Sequence, residues 1–393
     1  MTAFRPMSGV RVLDFGLLTA GANTSAMLAD LGADVIKIES GAYMDPFRAV
    51  GARDTAPGWW NRSPQYHFTN RNKRGAALNL KHAEGRRLVL ELAKSCDVLV
   101  ENFRRGVLER FGLTWEALKA ANPRIVVASI SSQGDTGPWR LHASYGSTLD
   151  ATGGLASLTG YAGGAPTISG MDVNYPDQVV SLIATGLVIA AVMDARRTGK
   201  GALLDISQRE IASFLIGEEI MAAAADPARR QPRRTGNAQE GVLFQDCLKC
   251  AGGKWVAVTL ADTDAAGRCA TAIGGVPHTG LRAALTAWCA NRSADDAAKI
   301  LVAASLPASR VMDGMDPLRD PGLAGGTLLR GDGGKLVKGM PYAFDGAGLA
   351  IERAAPDLGE HTLEILRDVL KLDEAEIARL DGLGVTSATP DTP

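Results

Sequence analysis

The first half of the chain alternates short apolar runs with amphipathic stretches, and that alternation restricts the fold more than any other feature. Gly9 to Phe15 reads as a short buried strand, broken at Gly16. Ala20 to Leu31 has helical spacing, and Asp34 to Ile38 is a second apolar strand ending at Glu39. The pattern repeats in Ala76 to Leu80, Ala83 to Ser95, and Val98 to Val100, where it ends at Glu101 and Asn102. Thr114 to Ala121 is helical and Ile125 to Ile130 is again β-rich. Strands alternating with helices predict a parallel sheet, because parallel neighbours need a crossover and the crossover helices cover both faces.

Beyond Ile130 the character changes twice. Gly153 to Gly170 is loaded with Gly, Thr, Ser and Ala and predicts a loop. A long apolar helix follows from about Gln178 to Arg197, with basic residues at its end and Gly199 as C-cap, and then a strand from Leu203 to Ile206. Ala222 to Arg234, rich in Ala, Arg and Pro, reads as an inter-domain connection. Gly241 to Cys250 and Lys254 to Leu260 are β-like runs around a Gly turn, followed by helical stretches at Ala265 to Ile273 and Ala294 to Ala304. The tail from Glu360 to Leu380 is helical, and Thr386 to Pro393 is expected to be disordered. The predicted architecture is α/β. A Rossmann-like parallel-sheet domain spans 1–221 and is completed by 334–393, and a smaller α+β domain spans 222–333.

Composition removes several function classes. With 42 basic and 43 acidic residues the net charge is -1, without the basic excess of a nucleic-acid binder. Five cysteines in 393 residues are no disulfide framework, which points to a reducing, cytoplasmic setting. The longest apolar run, Val179 to Met193, contains Ser181 and Thr185 and falls short of the roughly 20 residues a membrane span requires, so it predicts a buried core helix. The lone Cys247-x-x-Cys250 pair lacks the second pair a structural zinc needs, and His67, His82, His142, His278 and His361 are scattered without ligand spacing. No metal is expected. The βαβ start invites a dinucleotide, with Glu39 where a ribose-binding acid would sit, but Gly-x-Gly-x-x-Gly is missing between Gly16 and Gly21.

Three local patterns carry chemistry. Asn70-Arg71-Asn72-Lys73-Arg74 precedes a strand, and Asn102-Phe103-Arg104-Arg105-Gly106 follows one. Two Asn/Arg-rich loops beside parallel strands suit an anion such as a phosphate, and they equally suit solvated surface. Tyr175-Pro176-Asp177-Gln178 stands where the Gly-rich loop meets the apolar helix. Asp177 there is either a helix cap or a carboxylate placed for covalent acyl transfer.

Read together, these runs resemble the class III CoA-transferases, the formyl-CoA/carnitine-type (CaiB/BaiF) family. The likeness lies in Ser8 to Asp14, Leu28 to Glu39, Asn72-Lys73-Arg74 with Leu78-Asn79-Leu80, and Glu101 to Gly106 with Leu108 to Gly112. It continues through Asn122-Pro123-Arg124, Arg197 to Gly201 with Asp205-Ile206-Ser207, and Gly359 to Thr362. The resemblance implies that one aspartate carries the acyl group as a mixed anhydride. The family spacing before Arg197-Thr198-Gly199 lands on Asp177, with Asp172 as competitor. It implies coenzyme A contacts at Asn72, Lys73, Arg74, Asn102, Phe103 and Arg110. It also implies an interlocked ring-shaped homodimer, or a heteromer, whose C-terminal segment returns to the large domain. Acyl-CoA and a free carboxylic acid are the expected substrates, with no resident cofactor, nucleic acid or membrane. Leu18-Thr19-Ala20-Gly21-Ala22 and Ser40-Gly41-Ala42-Tyr43 depart from the family pattern near the active site and bear on the substrate. The alternatives are an α-methylacyl-CoA racemase, which would carry a histidine where this chain has Tyr145, and a non-catalytic subunit of a heteromeric transferase.

Overall fold

A computed structural model describes residues 5–51, 56–170, 174–230, 234–277, 279–324, 329–332, 335–345 and 347–391, and the chain divides into two compact units. The first comprises Met1–Leu155, Ile168–Gly217 and Gly325–Pro393; the second comprises Ala156–Thr167 and Glu218–Ala324.

The first unit is built on a six-stranded parallel sheet. Its strands are β1 (Arg11–Phe15), β2 (Asp34–Glu39), β3 (Arg74–Ala77), β4 (Val98–Glu101), β5 (Val126–Ser131) and β6 (Leu203–Ser207). Their order is β3-β2-β1-β4-β5-β6, with Leu13 level with Ile36 and with Leu99. The chain moves outward from β1 to β3, returns across the sheet, and moves outward on the other side from β4. The crevice beyond β1 and β4 is therefore the topological switch point, where sheets of this order place their ligands.

Strand alternation sends side chains to opposite faces. On one face Val12, Val98, Val100, Ala128 and Ile130 pack with α1 (Ala20–Asp30), as do Val180, Ala184, Val188 and Val192. On the other, Leu13, Phe15, Ile36, Leu99 and Val127 pack with Leu88, Val89 and Leu92, and with Ile365, Leu366, Ile377 and Leu380 of the returning C-terminal segment. The helices on this framework are α2 (Pro64–Asn70), α3 (Ala83–Ala93), α4 (Trp115–Ala121), α5 (Gly146–Thr152), α6 (Tyr175–Thr198) and α7 (Gln208–Phe214). By length and hydropathy α6 is the one membrane-span candidate among the described residues. Pro176, Val180, Ser181, Ala184, Thr185, Val188, Val192 and Ala195 form a buried stripe along it, as on a core helix.

The second unit has its own core. β7 (Phe244–Lys249), β8 (Trp255–Leu260) and β9 (Ala308–Arg310) form an antiparallel sheet. It is covered by α8 (Thr263–Ala272), α9 (Leu281–Ala290) and α10 (Ala294–Ala303) through Val256, Val258, Cys269, Leu285, Cys289 and Leu301.

Several sequence expectations need correction. Helices Gly146–Thr152, Gly217–Ala225 and Leu281–Ala290 and strand Ala308–Arg310 were not foreseen, because their Ala-rich or very short runs give weak periodicity. The tail is not disordered as far as Asp391. Gly41 donates to the Ser387 carbonyl, Asp391 donates to the Gly41 carbonyl, and Asn79 donates to the Val385 carbonyl.

A fully buried ion pair sits at the end of β2. Arg48 donates to both oxygens of Glu39 at 2.8 and 2.7 Å and stacks 3.6 Å over the Tyr66 ring, whose hydroxyl also donates to Glu39 at 2.8 Å. Burial pushes the Glu39 carboxyl up. Arg48, then Lys37 and the Asp45 N–H, outweigh burial and hold it at about 2, below the ordinary 4.5. A depressed folded pKa contributes stability above the unfolded value, and that stability is lost as pH falls from about 4.5 through about 2. Comparing denaturant unfolding of the native chain and Glu39→Gln should show the native advantage shrinking by about 3 kcal/mol across that window. Parallel pH curves for the two proteins would refute this.

Candidate active site

The turn after β1 is held by side chains from three other places in the sequence and by Asp14 of β1 itself. A Cβ on Gly16 would collide with the backbone of Gly21 and Ala22, and a Cβ on Gly21 would lie 2.6 Å from Asn102 Oδ1. These glycines serve close approach of β1, α1 and β4 without the dinucleotide spacing. Asn102 brackets Leu17, accepting from its N–H at 2.7 Å and donating to its carbonyl at 3.0 Å. Asp45 accepts from the N–H groups of Leu18 and Phe47 at 3.1 and 3.0 Å. Lys37, wholly buried, donates to the Gly16 carbonyl and to Asp45. Asp14 accepts from the Gly16 N–H at 2.7 Å. This clamp keeps Leu18 at φ 56°, a left-handed conformation costly for leucine.

Beyond the turn opens a cavity of about 910 Å³. Phe15, Leu17, Tyr43, Phe47, Leu78, Phe103 and Phe111 give it apolar walls. Lys81, Arg104, Arg110 and Arg140 also line it, and none of these makes an ion pair among the described residues. The cavity thus combines an aromatic surface with unneutralised cations, which suits a large polyanion bearing an apolar part.

Asp177 faces the same cavity from the first turn of α6. It does not cap that helix. The N-cap is Asn174 at φ 42°, and Asp177 is the third helical residue. Its carboxylate lies against the start of α5, where a Cβ on Gly146 would come within 2.8 Å of Oδ2. Its carboxylate receives no described hydrogen bond. Burial raises its pKa, the nearby Asp150 adds to the effect, and the carboxyl stands at about 6. A desolvated carboxylate without donors is more basic and more nucleophilic than an ordinary one.

The sequence-derived candidates separate into two groups. Asp177, Asn102, Phe103 and Arg110 line one cavity. Asn72, Lys73 and Arg74 do not line it; Asn72 and Arg74 line a second cavity of about 310 Å³. The segment leads into the N-terminal end of β3, away from the strand ends that open the first cavity. Lys73 is fully buried and donates to Asp14 at 2.8 Å and to the Ala22 carbonyl at 2.7 Å. Burial pushes its ammonium down to about 8; Asp14 opposes that and Lys37 adds to it. Arg71 pairs with Asp30, Arg74 pairs with Asp34 and Glu364, and Asn72 donates to Asp30 and accepts from the Glu352 and Arg353 N–H groups. Asp172 and His278 lie outside the described residues.

Sequence reasoning missed Lys37, Asp45, Lys81, Arg140 and Asp150. A lysine inside an apolar strand, as in Asp34-Val35-Ile36-Lys37-Ile38, was a readable sign of a buried pair; single charges in loops were not. Cys247 is half-buried on β7 and Cys250 is buried just after it, both free thiols, and no metal-holding cluster exists among the described residues.

The comparisons with known proteins agree on one group. A family model described as CoA-transferase family III matches residues 7–362. The chain is 30% identical to succinyl-CoA–D-citramalate CoA-transferase of Chloroflexus aurantiacus, over 96% of this chain and 97% of that protein. It is 29% identical to the beta subunit of succinyl-CoA–L-malate CoA-transferase from the same organism, over 96% and 97%. A crystal structure of a CaiB/BaiF family protein from Brucella suis superposes with TM-score 0.84 at 28% identity, covering 94% of this chain and 99% of that one.

Proposed function

This chain belongs to CoA-transferase family III, and we propose that it moves coenzyme A from an acyl-CoA donor to a free carboxylic acid through a mixed anhydride on Asp177. The observation that carries the reading is the Asp177 carboxylate, desolvated and without described donors, facing a cavity lined by unpaired cations and aromatic rings. An Asp177 oxygen attacks the thioester carbonyl carbon, the C–S bond breaks, and the electron pair leaves on the CoA sulfur. A thiol of pKa about 8.5 leaves as its anion without a strong acid. The CoA thiolate attacks the Asp177 carbonyl of the anhydride, which releases the donor as its free carboxylate and leaves Asp177 as a CoA thioester. The acceptor carboxylate attacks that thioester and expels the thiolate. The thiolate then attacks the acceptor's acyl carbon, freeing the Asp177 carboxylate and the new CoA ester. One thioester replaces another, so the exchange needs no ATP. The relatives named for succinyl-CoA support a small-acid ester as donor.

Arg110, Arg104 and Lys81 suit the phosphates, and Phe103 with Asn102 stands at the switch point where a nucleotide binds in sheets of this order. Lys73 ties the start of β3 to β1 through Asp14, Arg74 ties it to β2 and the C-terminal segment through Asp34 and Glu364, and Asn72 bonds to Asp30 of α1. The isomerase alternative needs a base flanking the α-carbon. Tyr145 is exposed on the cavity wall, and a phenol is a poor base at neutral pH. Five free cysteines fit the reducing cytoplasm.

Asp177→Asn and Asp177→Ala are expected to abolish transfer while leaving the thermal melt unchanged, as followed by mass analysis of new CoA esters. Retention of activity within about tenfold, worth only about 1.4 kcal/mol, would defeat the assignment. Arg110→Glu should weaken CoA-ester binding about tenfold or more in calorimetry. Arg74→Glu should instead lower the melting temperature, since it removes the cation of Glu364 and one of the two that hold Asp34, leaving only Arg11 there, and sets a third carboxylate beside them. The reverse pattern would return the site to the 72–74 segment.

We also propose a homodimer. Leu182, Leu187 and Met193 stay exposed on α6 beside Gly186 and Ala190, a contiguous apolar face a second copy would cover. Light scattering should give twice the chain mass, and Leu187→Glu with Met193→Glu should reduce it. A native mass of one chain would rule this out, and a requirement for an unlike subunit would favour a heteromer.

A further inference from the structure

Asp150 is a buried carboxylate that the transfer reaction does not use. It lies on α5, one turn after Gly146, so the two share a face, and Gly146 is the residue against which the Asp177 carboxylate rests. Its side chain is 1% exposed. Oδ2 accepts from the Ser169 N–H at 2.7 Å and from the Ser169 hydroxyl at 2.5 Å. The Ser169 oxygen in turn accepts from the N–H of Tyr175, the first residue of α6, at 3.3 Å. Oδ1 is buried with no hydrogen-bond partner among the described residues. A carboxylate left half-satisfied inside a protein is costly, and positions of that kind persist where they serve a site.

We infer that Asp150 is a positioning residue for Asp177. Through Ser169 it fixes the first turn of α6, and its negative charge sets the nucleophilicity of the neighbouring carboxylate. The inference rests on Asp177 being the acyl carrier. The tie comes from geometry: Asp150, Ser169 and Tyr175 form a relay that joins α5 to the start of α6 two residues before Asp177. The charge effect comes from proximity, since Asp150 is the described group whose charge raises the Asp177 carboxyl beyond what burial does. Other titratable groups around α6 are placed differently. α1 presents uncharged Asn23 and Thr24, and its Asp30 is held by Arg71. β6 presents Asp205, held by Arg105. α7 carries Arg209 over the Trp139 ring, and the segment before α5 carries Arg140, His142 and Tyr145 on the cavity wall.

The sign of the effect follows. Asp177 attacks as the anion, so activity is lost as pH falls through its pKa of about 6. Asp150→Asn keeps an oxygen for Ser169 and removes the charge. Asp177 then becomes a weaker base, and the acidic limb of kcat/KM moves to lower pH. Ser169→Ala removes the relay and keeps the charge, so the limb stays in place while kcat falls.

The experiment measures kcat/KM for succinyl-CoA, with a panel of free acids as acceptors, against pH for the full-length native enzyme, Asp150→Asn, Asp150→Ser and Ser169→Ala. Thermal melts establish which variants are folded, and hydroxylamine trapping reports the acyl group on Asp177. A limb near pH 6 in the native enzyme, moved down by about one pH unit in either folded Asp150 variant and unmoved in Ser169→Ala, is the expected result. An acidic limb that stays put in a folded, charge-free Asp150 variant would overturn the inference while leaving the acyl-carrier reading intact. Failure to trap any acyl group on native Asp177 would instead defeat that underlying reading.

Discussion

Asn102 and the backbone of Leu17 share two hydrogen bonds across the gap between β1 and β4, and the rest of the site is arranged around that closure. At a topological switch point the two strands diverge above the sheet, because their connections run in opposite directions. Dinucleotide folds hold the first turn with a glycine run and let the ligand's phosphate occupy the gap. Here a side-chain amide occupies part of it, and the turn is held from beneath by Asp14, Lys37 and Asp45. The cavity instead opens toward the loops after β3 and β4, where Lys81, Arg104 and Arg110 stand. The same sheet order thus carries a prebuilt polar clamp in place of a glycine-held turn.

That clamp has an electrostatic cost that shapes the interior. Lys37 and Lys73 are both without solvent contact, and each is matched by an aspartate and by backbone carbonyls. Removing one partner from such a pair leaves an uncompensated charge, a loss of several kcal/mol. The lysines are consequently fixed in place even though neither touches the cavity. Asp177 lies at the opposite extreme: its carboxylate has no described donor, and its nearest influential neighbour is another carboxylate. The first group of charges is satisfied by its partners and the second is without described donors, and the two kinds stand in one domain.

How far the sequence revealed this depended on what each signal measured. The β-branched runs of β1, β2, β4 and β5 are almost wholly buried strands, and their shortness and β-branched content, rather than any periodicity, made them legible as strands. Asp177 and Asn102 stand at element boundaries, but it was the family resemblance, not their position alone, that singled them out as candidates. Asp45, Arg140 and Asp150 were invisible: each is a single charge in an unremarkable stretch, and its importance comes from partners more than 15 residues away or from the cavity it faces.

The Asn72-Lys73-Arg74 cluster shows how little the spelling of a motif says about where its charges are spent. Consecutive cations before a strand look accessible because burying one unpaired charge is prohibitive, and a sequence does not display its pairs. In the folded chain every member has partners drawn from α1, β1, β2 or the C-terminal segment: Asp30, Asp14, Asp34 and Glu364. The cluster joins the first βαβ unit to β3 and to the returning tail, so its residue types are dictated by carboxylates that lie about 40 to 290 positions away. A motif recognised by its spelling can thus belong to the support of a site. The test that separates support from site is whether its charges are already neutralised inside the protein: those of Lys73 and Arg74 are, and those of Arg104 and Arg110 are not.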